Sequence, residues 1–123
     1  MRWLADVDED TVFLSVVALA EIRRGVELLP RGRRRDALAF WLENELGGRF
    51  AGRLIDIDAR VADRWGVLSA SAQKAGVSLG AMDAFLGATA VVNGLTLVTR
   101  DASVFERLSV PVLNPWTYRP GSA

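Results

Sequence analysis

Leu95–Thr99 (LTLVT) places the tightest constraint on how this chain folds. A short apolar run with no charged position has no face to give to water, and that is the pattern of a parallel strand covered on both sides. A second run, Thr11–Ser15 (TVFLS), ends in a residue suited to capping and leads into helical spacing from Val16 to Leu29, interrupted by Pro30 and Gly32. From Arg33 to Leu46, Leu38, Trp41, Leu42 and Leu46 fall on one side of an amphipathic helix that Gly47 and Gly48 are expected to stop. Leu54–Ile57 is a strand candidate, and Asp58 is placed to cap a helix reaching Ala75, closed by Gly76. Ser78 is the expected cap of an almost wholly apolar helix ending near Asn93 and Gly94. A short helix from Ala102 to Leu108 and a strand at Val110–Leu113 follow. Short apolar strands alternating with helices predict an α/β fold of three layers, a parallel sheet flanked by helices. At 123 residues, half of them apolar, the chain suits a single domain over 1–123 with a loose tail at 117–123.

The chain has no cysteine and no histidine, which excludes disulfides, thiolate metal sites and imidazole chemistry. Any site must run on carboxylates, hydroxyls and arginines, and oxygen-only ligation suits magnesium or manganese better than zinc or copper. Fifteen basic residues balance fifteen acidic ones, so net charge does not argue for nucleic acid. The distribution is uneven: Arg31, Arg33, Arg34 and Arg35 cluster, with Arg23 and Arg24 before them and Arg49 and Arg53 after. Such a cluster is equally a solvated helix face. No apolar stretch approaches the roughly 18 residues needed to span a bilayer, and no secretory signal pattern is present, so a cytoplasmic location is expected.

Three acids stand in apolar surroundings, and each has two readings. Asp83, in AMDAFLGATAVV, has no polar face to share, and a helix apolar all round is expected to be buried; it is either a functional carboxylate or a first-turn acid favoured by the helix dipole. Asp101 lies just past LTLVT, where open parallel sheets build sites, and equally suits the N-cap of the helix beginning at Ala102. Glu21, in VVALAEIRRG, shares a side with Val17 and Leu28, or it pairs with Arg24 or faces solvent on the Gly25 side. Clustered carboxylates repel one another unless a cation lies between them. A divalent cation in that position fits phosphodiester hydrolysis.

LSVVALAEIRRGVELLP, SLGAMDAFLGATA, LTLVTRDASVFERL and the closing VLNPW together resemble the VapC-like PIN-domain toxins, in order and spacing, over nearly the whole chain. The resemblance implies a magnesium- or manganese-dependent endoribonuclease, usually dimeric and held inactive by a cognate antitoxin. By the same resemblance Glu21, Asp83 and Asp101 are the catalytic metal ligands, and Thr99 is a supporting hydroxyl. Arg100, with Arg23 and Arg24, is a candidate for contact with RNA phosphates, or a solvent-facing residue.

The front of the chain departs from the family pattern, which opens on a strand ending in aspartate. Asp6 resembles that residue, but only four residues separate it from Thr11, and a parallel crossover needs about a dozen. Met1–Ala5 is therefore read as the end of the first helix, with the opening strand absent. A PIN-like domain without it is expected to leave two strands unpaired, to be unstable or pair with a partner strand, and to hold metal weakly. A second functional expectation follows: a catalytically silent module that dimerises or binds an antitoxin. A metal-dependent DNA nuclease is the third.

Overall fold

The computed structural model describes residues 12–99 and 102–114. Residues 12–56 pack as one compact unit, and residues from Ile57 onward belong to a second.

The first unit opens with β1 (Leu14–Ser15) and α1 (Val16–Leu28). Ser15 is extended, and its Oγ accepts the Val17 N–H at 3.1 Å, satisfying one of the donors that a helix start leaves free. After Pro30, α2 (Arg33–Trp41) continues through a π-helical turn (Leu42–Leu46) into α3 (Gly47–Arg49) with no break in helical backbone. The expected stop at Gly47 and Gly48 is therefore corrected. Burial of Leu42 and Leu46 against Val26 carries the helix through both glycines, each of which weakens a helix by only about 1 kcal/mol. The left-handed turn falls later, at Gly52 (φ 77°), just before β2 (Leu54–Ile55). β2 pairs in parallel with β1, Leu14 opposite Leu54 and Ser15 opposite Ile55. The Arg53 guanidinium donates to the carbonyls of Val12 (2.7 Å) and Arg49 and lies 5.1 Å over the Phe50 ring.

In the second unit, α4 (Ala59–Lys74) starts as expected: Asp58 Oδ1 accepts the Val61 N–H at 2.9 Å. Gly76 ends it in the left-handed region (φ 68°), which a side chain would oppose. The spacing of Val61, Leu68 and Ala72 lays a buried stripe along α4, against which α5 (Ala81–Val92) packs with Ala84, Gly87, Ala88 and Ala90. The approach is close. A Cβ added to Gly87 would lie 3.0 Å from Leu68 Cδ2 and 3.1 Å from Phe105 Cε1. The one buried polar residue among those described, Thr89, donates its hydroxyl to the Phe85 carbonyl at 2.7 Å.

Two expectations for this unit are corrected. Ser78 does not cap α5; the N-cap is Gly80, with no side-chain hydrogen bond, and the helix begins two residues later than the serine suggested. Nor is LTLVT covered on both faces by the described residues. β3 (Leu97–Val98) pairs in parallel with β4 (Val112–Leu113), and α6 (Ala102–Glu106) lies between them in sequence. Successive strand residues point to opposite faces. Leu97 packs against the cluster of Leu68, Phe105 and Val110, whereas Val98, on the other face, is 40% exposed.

Candidate active site

α1, capped by Ser15, carries Glu21 at its middle, and the side chain is exposed. α5 carries Asp83 in its first turn, also exposed, which corrects the expectation of all-round burial for that helix. The buried positions of α5 begin at Ala84 and run through Gly87 to Ala90, so the apolar composition serves close packing on one side and leaves the first turn open to solvent. Neither Glu21 nor Asp83 has a hydrogen bond or ion pair among the described residues, whereas Glu27, Glu43 and Asp58 are engaged. Thr99 follows β3 directly, half-buried, with its N–H donated to the Leu113 carbonyl at 3.0 Å. Glu21 stands in the unit of residues 12–56, Asp83 and Thr99 in the other. Asp101 and Arg100 lie outside the described residues, as do Asp6, Met1–Ala5 and the tail at 117–123.

Of the arginines proposed for phosphate contact, Arg23 is already engaged. It bonds Glu43 at 2.8 Å and lies 3.6 Å from Glu27, which Arg35 also meets at 3.3 Å. This network ties α1 to the helices after Pro30. The hydrogen bond to Glu43, against a smaller desolvation cost, raises the Arg23 pKa above its ordinary value. Arg24, one residue on, is exposed.

Glu21 and Asp83 fit a hard divalent cation in kind, as carboxylates that no basic side chain neutralises among the described residues. Among the described residues no group of three acidic side chains is gathered that could hold such an ion. An open cleft of about 580 Å³, lined by Ala59, Arg60, Asp63, Arg64, Val91 and Val92, lies elsewhere. It meets α5 at Val91 and Val92, eight residues or about 12 Å along the axis from Asp83. Asp83 does not line it.

Trp65 was not singled out from sequence. Its indole N–H donates to the Ala81 carbonyl at 3.1 Å, and its ring stacks on Phe85 with centroids 5.2 Å apart and planes 22° off parallel. The available signal was spacing: Trp65 shares the α4 stripe of Val61, Leu68 and Ala72, which aims it at the neighbouring helix.

Residues 1–111 match the PIN domain family. The chain belongs to that family. It is 37% identical over 116 residues to the plasmid stability protein StbB of Pseudomonas syringae pv. tomato, covering 94% of this chain and 84% of that one. It is 34% identical to the VapC ribonuclease Y4jK of Sinorhizobium fredii, covering 94% and 83%. The crystal structure of FitAcB from Neisseria gonorrhoeae superposes with a TM-score of 0.88 at 35% identity, over 95% of this chain and 84% of that one. The expected PIN-like α/β fold is thereby borne out, with its parallel pairing in two small sheets among the described residues. Among those residues no helix is long and apolar enough to cross a membrane.

Proposed function

We propose that this protein is a divalent-metal-dependent endoribonuclease, the toxin of a toxin–antitoxin pair, acting in the cytoplasm as a homodimer bound by its cognate antitoxin until released. In this reading residues 1–123 work as one PIN-like domain. Its metal ligands are Glu21, Asp83 and Asp101, Thr99 is the supporting hydroxyl, and Mg²⁺ or Mn²⁺ is the cofactor. The observation that carries the reading is that Glu21 and Asp83 are exposed carboxylates without an ion pair among the described residues, each held on a helix of a PIN-family chain that resembles a named ribonuclease.

When bound, a divalent cation supplies the positive charge that activates water and offsets charge developing on a phosphate. The chain's own part is to present oxygen donors: Glu21 stands on α1, Asp83 in the first turn of α5, and Asp101 follows Thr99 and Arg100 in sequence. Arg24 and Arg100 would meet the RNA backbone. Arg23 serves first to brace the helices through Glu43, so its contribution to RNA would be indirect.

The test is cleavage of single-stranded RNA by the purified chain in manganese, with EDTA and Asp83→Asn as controls and single-stranded DNA of the same sequence alongside. The reading requires RNA cleavage lost in both controls. Equal cleavage of DNA would redirect it to a general nuclease, since only RNA offers the 2′-OH. The second reading, a silent module that dimerises or binds an antitoxin, is favoured by Leu28 (68% exposed) and Phe40 (60% exposed), two large apolar side chains left to solvent. It replaces the first if the folded chain cuts no RNA in either metal.

A further inference from the structure

α1 and α4 each begin with a side-chain cap, Ser15 onto Val17 and Asp58 onto Val61. α5 does not: Gly80 occupies its N-cap and offers no side chain. A helix start without a cap frays, because its first N–H groups have no partner to hold the turn. Asp83 sits in that first turn, so fraying would move its carboxylate.

Trp65 supplies the missing tie from outside the helix. Its indole N–H bonds the Ala81 carbonyl, an oxygen with a second acceptor site to spare, and its ring stacks on Phe85. Ala81 and Phe85 are four residues apart and share one face, so Trp65 grips α5 at two points one turn apart. Asp83 lies two residues from each, about 180° around the helix. The grip thus fixes the turn from behind and leaves the carboxylate clear.

We propose that Trp65 is a positioning residue for Asp83, holding the uncapped first turn of α5 so that the carboxylate is presented in one place for a divalent cation. The proposal rests on the reading of Asp83 as a metal ligand. A purely packing role for Trp65 would need the ring alone, and phenylalanine would fill it. The directed N–H bond is what a positioning role adds.

The test is a Mn²⁺ titration of the full chain followed by electron paramagnetic resonance, comparing wild type, Trp65→Phe and Asp83→Asn, with amide hydrogen exchange at Ala84. The Ala84 N–H bonds the Gly80 carbonyl at 2.9 Å and so reports the first turn. Trp65→Phe keeps an aromatic ring for the stack and loses the bond; about five-fold weaker manganese binding is expected, the factor a single neutral hydrogen bond sustains, with binding recovered at saturating metal. Faster exchange at Ala84 should accompany it. Trp65→Phe binding manganese as wild type does, while Asp83→Asn does not bind, would overturn the positioning role and leave the metal reading intact. Asp83→Asn binding as wild type does would overturn both. A measurement on the wild type alone guards against misfolding of a variant: manganese should slow exchange at Ala84, and no change there contradicts the coupling.

Discussion

Residues 12–56 and the residues from Ile57 onward hold their helices by different means. In the first, α1 meets the helices after Pro30 through a small core of Val26, Leu42 and Leu46, rimmed by the ion pairs of Arg23, Glu27, Glu43 and Arg35. In the second, α5 presses alanines and Gly87 against α4, and a Cβ added at Gly87 would meet Leu68 and Phe105 at 3.0–3.1 Å. Exposed ion pairs tolerate geometric error and are screened by salt. Close packing of small residues does neither, because a methylene too many has nowhere to go. Of the two described candidate carboxylates, Asp83 is therefore carried by the stiffer platform and Glu21 by the more adjustable one.

Matched truncations should give the largest effects and show whether both cores are integral to the fold. Leu68→Ala and Leu46→Ala each empty a site that is 5% or less exposed, and each should destabilise by about 2–5 kcal/mol in urea denaturation. A loss well below that range for Leu46→Ala alone would mean that the ion pairs, not the core, hold residues 12–56. The same substitution at two glycines should then differ in sign. Gly87→Ala forces Leu68 or Phe105 to move and should cost about 1–3 kcal/mol, whereas Gly25→Ala, in α1 with nothing within 4 Å of the new Cβ, should stabilise by about 0.5–1 kcal/mol. Equal effects at both sites would erase the contrast in packing.

A smaller, pH-dependent effect belongs to the start of α4. The Val61 N–H, with help from Arg60, holds the Asp58 carboxyl below the usual carboxylate range. A depressed folded-state pKa adds stability above the unfolded pKa, and that stability is lost as pH falls through the lower, folded value. Thermal melts should show Asp58→Asn, which keeps a capping oxygen, flattening the acid limb, while Asp58→Ala lowers the midpoint by a few degrees at neutral pH. An unchanged acid limb in Asp58→Asn would place the titration elsewhere.

Much of this was legible in the sequence where a local rule faced no competitor. Ser15 and Asp58 cap the helices that follow them, Gly76 ends α4, and the strand at Leu54 begins where its apolar run does. Reading failed where packing overrode the local signal. Gly47 and Gly48 look like a stop, yet buried Leu42 and Leu46 anchor the helix through them. Ser78 looks like a cap, yet the half-buried Leu79 packs into the cluster around Leu68 and Phe105, and the helix waits for Gly80. The exposure of Asp83 was hidden because composition shows that a helix is apolar, not which turn its neighbour leaves uncovered. Trp65 was missed for the related reason that its partners, Ala81 and Phe85, lie on another helix.

The proposed function has Glu21 and Asp83 serve one metal-dependent reaction. Its most direct measurement is a double-mutant cycle on kcat/KM for RNA cleavage in manganese, using Glu21→Gln, Asp83→Asn and the pair. Each single change should cost on the order of 1000-fold, and the pair little more than either alone, because groups that act as a unit fail as a unit. Losses that multiply, or a Glu21→Gln protein that cuts RNA as wild type does, would contradict a shared site.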